Sequence, residues 1–314
     1  MKKGIAVGIG VVLIAALLIF AAYPAAAQNT ARSLKEEIGM NGFNMGVFGE
    51  RYVKIEENVS VSSYSCDSSI TCTVTVGSNL NVETDNTSTV DGNIAVGAPE
   101  PADDPINGTV TGEIQYDEPE WELPPIDMPA WYTLGGGGPE GEILGTVGSK
   151  PGQYQIDGVT KTFTAYQNAE VTFTPGMYHF EHFELQQNVK FYVGVGSEEI
   201  VEIYIGSSIN FEYNTGFLLP IEVVGDATRL RVWYNGTSTA DLSNNVHFTG
   251  FLYAPNATIL ARQNQYLYGA LVGKAIDLEQ NSGVHFDCCL MSALDDLLKP
   301  QPERKIWEEK VLTN

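Results

Sequence analysis

The stretch FTGFLYAPNATILARQNQYLYGALVGKAIDLEQNSGVHFD, Phe248 to Asp287, decides how the chain is read. Short runs rich in Tyr, Phe, Leu, Val and Ile alternate there with Asn, Gly and Pro, and no catalytic group stands at a motif spacing. Runs bounded by small polar turn residues and recurring along a chain are strands that stack and bury a common core. From Tyr166 onward the habit recurs as QNAEVTFTPG, QNVKFYVGVG, SSINFEYNTG, SNNVHFTGFL, RQNQYLYGAL and EQNSGVHFDC. Asn168, Asn188, Asn210, Asn245, Asn264 and Asn281 step by 20, 22, 35, 19 and 17 residues, the long step being two repeats. Asn tolerates the left-handed turn conformation, and stacked Asn side chains share hydrogen bonds from one level to the next.

The spacing predicts an all-β chain wound as a right-handed parallel β-helix, a solenoid, with Asn245, Asn264 and Asn281 in a ladder and Pro255 and Gly269 setting turns. Alternation assigns Val189, Phe191 and Val193 of NVKFYV to the core and Lys190 and Tyr192 to solvent. An antiparallel sandwich is the competing fold, since it too has many short strands with turn signals.

Six stretches divide the chain. Residues 1–27 hold Lys2 and Lys3, an uncharged run from Gly4 to Ala22, and an Ala-x-Ala at Ala25 to Ala27. That pattern is compatible with a cleaved signal peptide, a retained transmembrane helix over 4–22, or a pilin-like helix cut after Gly4. Residues 28–46 read as a helical connector and 47–98 as the first β-coils. Residues 99–150 are a Pro-, Gly- and acid-rich excursion whose Trp121, Leu123, Ile126, Met128 and Trp131 suit packing on the strand wall better than a free linker. The main β-helix is expected over 151–290 and a C-terminal helical cap over 291–314.

The motifs resemble a known group. Tyr-Ala-Pro-x-Ala at Tyr253, Ala254, Pro255 and Ala257, the aromatic-Gly-Ala-Leu-Val-x-Lys step from Tyr268 through Gly269 to Lys274, and His-aromatic-Asp at His285 to Asp287 are similar to the C-terminal β-helix domain of PilX-like, type IV pilus-associated and related surface proteins. VFGERYVKIEENVSVSSYSC from Val47 looks like that family's opening coil and IWEEK near Ile306 like its closing segment. The resemblance implies the fold and an exported compartment, with no enzymatic activity. Partners would then be pilus or cell-envelope proteins, or surface glycans, with membrane contact through the N-terminal helix if it is retained.

The chain has 314 residues, with 39 acidic against 17 basic side chains and a net charge of −22. Such a field repels phosphate backbones, so nucleic acid is not an expected partner. The charge is spread without an Asp-rich calcium loop, so no cofactor and no metal is expected, Ca2+ being the one cation weighed. Four cysteines fit an oxidising compartment. Cys66 and Cys72 flank a short polar loop and are the expected disulfide; of the adjacent Cys288 and Cys289, one is expected to be buried and the other available to a partner thiol.

No catalytic residues are assigned. His179 and His182 stand three apart, an awkward step for chelation from a strand. His285 and Asp287 share a face but have no nucleophile beside them, and read as a structural corner. Lys274 is expected to pair with Asp277 or Glu279. The competing function is a polysaccharide-binding or polysaccharide-cleaving β-helix protein, with Asp226, Asp241 and Asp277 as carboxylates and Tyr192, Tyr204, Tyr213 and Tyr234 as a binding stripe.

Overall fold

The computed structural model describes residues 45–101, 105–129, 147–148, 153–193, 200–218 and 226–291. They form an all-β structure of 22 strands joined in one sheet system. Most pairs are parallel. Glu170–Phe173 lies on Lys190–Val193, Gly176–Leu185 on Val201–Phe211, and His247–Ala261 on Tyr266–Leu278. Two antiparallel pairs lie at one edge: Tyr154–Asp157 with Thr162–Ala165, and Val147–Gly148 with Glu170–Phe173.

Alternation builds the core. In Glu170–Phe173, Lys190–Val193 and Tyr52–Ile55 the second and fourth residues are buried and the first is exposed, the two-residue period of a pleated strand. The inward residues then stack in register. One such row runs Ala165, Leu185, Phe211, Leu242, Ala261, Leu278, Ile55 and Thr84, all buried. Each Leu, Ile or Phe in it contributes about 1.5–3 kcal/mol through lost apolar exposure.

That row passes from Leu278 to Ile55, and here the expected architecture needs correction. Strands near the N-terminus do not open the array. Met45–Gly49 pairs with Tyr266–Leu278, Tyr52–Ile55 pairs with the same long strand, and Ser60–Tyr64 pairs with Gly283–Asp287. Val74–Ser78, Asn81–Thr84 and Thr89–Val90 then add to these. In addition, Val201–Phe211, Leu230–Tyr234, His247–Ala261 and Ala240–Leu242 pair in a closed four-strand ring. A right-handed parallel β-helix wound in chain order does not account for this connectivity. The reason is that sequence periodicity specifies which residues face inward, whereas which edge a strand adds to depends on long-range complementarity.

The helical connector expected over 28–46 is corrected where it is described, since Met45 and Gly46 open a strand. Helical residues among those described are the 3-10 turn Ala227–Arg229 and the pair Leu290 and Met291. Among the described residues no helix is long and apolar enough to cross a membrane. The segments expected as a signal or transmembrane helix, as a helical connector up to residue 44, and as a cap from residue 292 lie outside the described residues.

Turn geometry rests on asparagine. Asn58, Asn168, Asn188, Asn214, Asn245, Asn264 and Asn281 all have φ between 57° and 63°, and each is followed by a buried residue. The Asn188 amide donates to Asn168 Oδ1 at 3.0 Å and accepts from Asn214 Nδ2 at 2.8 Å, while Asn58 Nδ2 donates to Asn281 Oδ1 at 3.2 Å. The fourth turn position is therefore Asn214 and not Asn210, which lies inside the strand Val201–Phe211. Replacing Asn188 with Val is expected to cost about 2–3 kcal/mol, combining left-handed strain with two lost hydrogen bonds. Asn188→Gly, which relieves the strain, is expected to cost about 1 kcal/mol; urea midpoints of the two variants check the difference.

Part of the excursion packs on the strands. Asn79 exchanges two hydrogen bonds of 2.8 Å with the backbone of Trp121, and the Tyr253 hydroxyl donates to Pro124 O at 2.6 Å.

Candidate functional site

The densest polar arrangement lies where the N-terminal strands meet the C-terminal ones. Ser60–Tyr64 runs parallel to Gly283–Asp287, and both strands end in cysteine-bearing segments. Cys66 is bonded to Cys289 and Cys72 to Cys288. The expected Cys66–Cys72 bridge is thus corrected, and no free cysteine remains. Cys288 and Cys289 form the turn that follows Gly283–Asp287 and reach two separated points of the loop that local spacing alone would have closed on itself.

Asp287 sits at the centre of this junction, fully buried. One carboxylate oxygen accepts the N–H groups of Cys66 at 3.2 Å and Cys289 at 3.0 Å, and the other accepts that of Ala227 at 2.9 Å. One side chain therefore ties three segments distant in sequence. Burial pushes its pKa up, and the three N–H donors oppose that shift. The phenol of Tyr64 is pushed up too, by burial first and then by Asp287. Asp287→Ala would leave three N–H groups without an acceptor and is expected to cost about 3 kcal/mol or more. Asp287→Asn, which retains one acceptor oxygen, should fall between it and the parent in thermal melts.

Cys66, Asp287 and Cys289 bring three ligand-type atoms within 4.8 Å of one another. Both sulfurs belong to the disulfide, so no thiolate is available there to hold a metal. A separate open groove of about 690 Å3 is lined by Lys54, Glu56, Glu83, Asp85, Asn107 and Gln280 among others. In it Lys54 bonds Glu56 at 2.7 Å, which raises the lysine pKa. Asp277, in register with Lys54, is raised by burial and by the like charges of Glu56 and Glu83, against the opposing pull of Lys54.

The other singled-out residues are dispersed. Tyr253 and Ala254 are buried in the strand His247–Ala261. Pro255 occupies a register break between the pairs Ala254–Gly273 and Thr258–Ala275, where a residue lacking an N–H is tolerated. Lys274 stands opposite that break and its carbonyl accepts from Arg51 N at 2.8 Å. Its expected partners are engaged otherwise: Glu279 lies 3.9 Å from Arg262 and Asp277 faces Lys54. Gly269 lies within a strand at φ 129°. His285 accepts or donates at Nδ1 to Ser62 Oγ, 2.8 Å away. His182 does the same with Ser208 at 2.7 Å, across a register break from the buried His179.

The three carboxylates do not converge. Asp241 accepts three bonds of 2.7–3.0 Å from Arg262, Asp226 caps the 3-10 turn and bonds Arg229, and Asp277 stands in register with Lys54. The expected tyrosine stripe also dissolves, because Tyr204 and Tyr234 are buried. Sequence reasoning overlooked Asn58 and Asn214, whose signal was present: in each repeat the turn Asn directly precedes an inward residue.

One family comparison bears on the chain. Residues 192–293 match a domain of unknown function, DUF7305. The matched span holds Asp287 and both C-terminal cysteines but neither Cys66 nor Cys72, so the partner loop of each disulfide lies outside it. No curated protein and no solved structure matches. Two disulfides are compatible with an oxidising, exported environment.

Proposed function

We propose that this chain is an exported, non-enzymatic structural protein of the cell surface, of the pilus-associated type its motifs resemble. The observation that carries this reading is the double staple of Cys66 and Cys72 to Cys289 and Cys288. It joins strands at opposite ends of the described chain and holds them in parallel register. Gly46 lies against Phe286, so close that an added Cβ would sit 2.7 Å from Phe286 Cβ, which places the entry of the described chain beside its exit. Force applied between residues 45 and 291 meets the two disulfides before it reaches the strands between Cys72 and Cys288. A covalent clamp placed there suits a component that bears load or displays another surface. Its partners are pilus or envelope proteins.

The test is shear fractionation of native cells, with thiol labelling of the recovered protein. The reading predicts recovery in the sheared surface fraction with all four cysteines blocked, and fewer assembled surface fibres when the gene is deleted. Recovery from the cytoplasm with free thiols would overturn it.

A further inference from the structure

One sheet face carries an aromatic platform that the structural role does not use. Tyr266 and Tyr268, two residues apart in one strand, point to the same side and are 49% and 36% exposed. Each is flanked by an imidazole on a neighbouring strand. His247 stacks on Tyr266 with ring centroids 4.8 Å apart and 23° between planes; His285 stacks on Tyr268 at 4.9 Å and 28°. Tyr64 closes one side, edge-on to Tyr268 at 5.6 Å.

Three further features define what this surface suits. First, hydroxyls stand beside the rings: Ser60 and Ser62 face the neighbouring Gly283 and His285. Second, Gly283 lets the His285 ring and the Ser60 hydroxyl lie close over the backbone, since a Cβ there would come within 3.1 Å of His285 Nε2 and 3.6 Å of Ser60 Oγ. Third, the row that holds Tyr266 is uncharged from Gly216 onward, Lys190 being the next residue on the far side of Gly216. The row from Gly216 through His247, Tyr266, Gly283 and Ser60 to Thr109 contains no charged side chain, on a chain of net charge −22. Burial lowers the pKa of both His247 and His285 and so favours their neutral forms.

We infer that this platform binds a neutral glycan, with sugar rings laid on Tyr266 and Tyr268 and their hydroxyls bonded by His247, His285 and the adjacent serines. A pyranose presents C–H groups on its ring faces and hydroxyls around its rim. Aromatic faces carry negative quadrupole density that attracts such C–H groups, and imidazole and hydroxyl groups serve as both donors and acceptors. Neutrality is the complementary feature: it avoids stripping water from an ion, and the acidic remainder of the chain repels anionic polymers.

The experiment is isothermal titration of the purified, oxidised full chain with cellohexaose, maltohexaose and chitohexaose, and with polygalacturonate as the anionic comparison. At least one neutral hexasaccharide should bind, and Tyr266→Ala and Tyr268→Ala should each weaken it roughly fivefold to tenfold. Tyr266→Phe, which keeps the ring, should stay within about twofold, and Tyr213→Ala, an exposed tyrosine outside the platform, should bind as the parent does. His247→Ala supplies a second reading of the platform should a tyrosine variant fail to fold. The inference is overturned if none of the three hexasaccharides binds, if the platform variants bind undiminished, or if polygalacturonate binds more tightly. It also fails if sedimentation shows a dimer that Tyr266→Ala dissolves, since the face would then be a contact between copies. These outcomes do not depend on where the protein resides in the cell.

Discussion

Removing both disulfides together is expected to destabilise the protein by about 2 kcal/mol more than the sum of removing each alone. The Cys66–Cys289 and Cys72–Cys288 bridges span sequence separations of 223 and 216 residues. In the chain-entropy account a loop of that length contributes about 5 kcal/mol. The two bridges close nearly the same loop, however, so either one alone retains most of that constraint. Once one is present, the second closes only the few residues between neighbouring cysteines and adds about 2–3 kcal/mol. Cys66→Ala with Cys289→Ala, or Cys72→Ala with Cys288→Ala, should therefore each cost about 2–3 kcal/mol, and the fourfold variant about 7 kcal/mol. Guanidinium titrations of the three proteins check this. Additive costs would mean that the bridges do not share a loop.

Gly269→Ala is expected to abolish folding, with a cost above about 4 kcal/mol. Gly269 has φ 129°, a conformation that side-chain-bearing residues rarely adopt, and an added Cβ would lie 1.9 Å from the carbonyl oxygen of Gly250. Gly250 is its partner in register and has φ 157°, with Leu230 O at 2.8 Å from its own added Cβ. Two backbones approach at this corner more closely than any side chain permits. Gly158 is the internal comparison: nothing lies within 4 Å of its added Cβ, and Gly158→Ala should change stability by no more than about 0.5 kcal/mol. Soluble yield and circular dichroism of the two variants separate the cases.

What could be read from the residues was local. Val189, Phe191 and Val193 are buried because alternation is a property of the strand itself. Most turn asparagines were legible for the same reason, since only a few residue types accept φ near 60°. SSINFEYNTG contains both Asn210 and Asn214, and which of them makes the turn depends on where the strand stops. Connectivity was not legible. That Ile55 continues the row of Leu278 is decided by which edges remain open once the sheet has formed, and no repeat length encodes it. The cysteine pairing failed with it: short spacing favoured Cys66 with Cys72, and only the docking of Ser60–Tyr64 on Gly283–Asp287 brings Cys288 and Cys289 within reach.

For the candidate site the balance is similar. His285 and Asp287 read in the sequence as a structural corner, and Asp287 ties three backbone segments. Of the expected stripe Tyr192, Tyr204, Tyr213 and Tyr234, Tyr204 and Tyr234 lie buried. Tyr266 and Tyr268 form the exposed platform instead, because His247 and His285 come alongside them only through strand register.

Disulfide mapping of the native protein tests the central claim, the covalent clamp between the two ends of the described chain, most directly. After alkylation without reduction and tryptic digestion, the peptide carrying Cys66 and Cys72 should be found joined to the peptide carrying Cys288 and Cys289, and fragmentation should resolve the bonds as 66 to 289 and 72 to 288. A bond between Cys66 and Cys72 within one peptide, or alkylated thiols at Cys288 and Cys289, would contradict it.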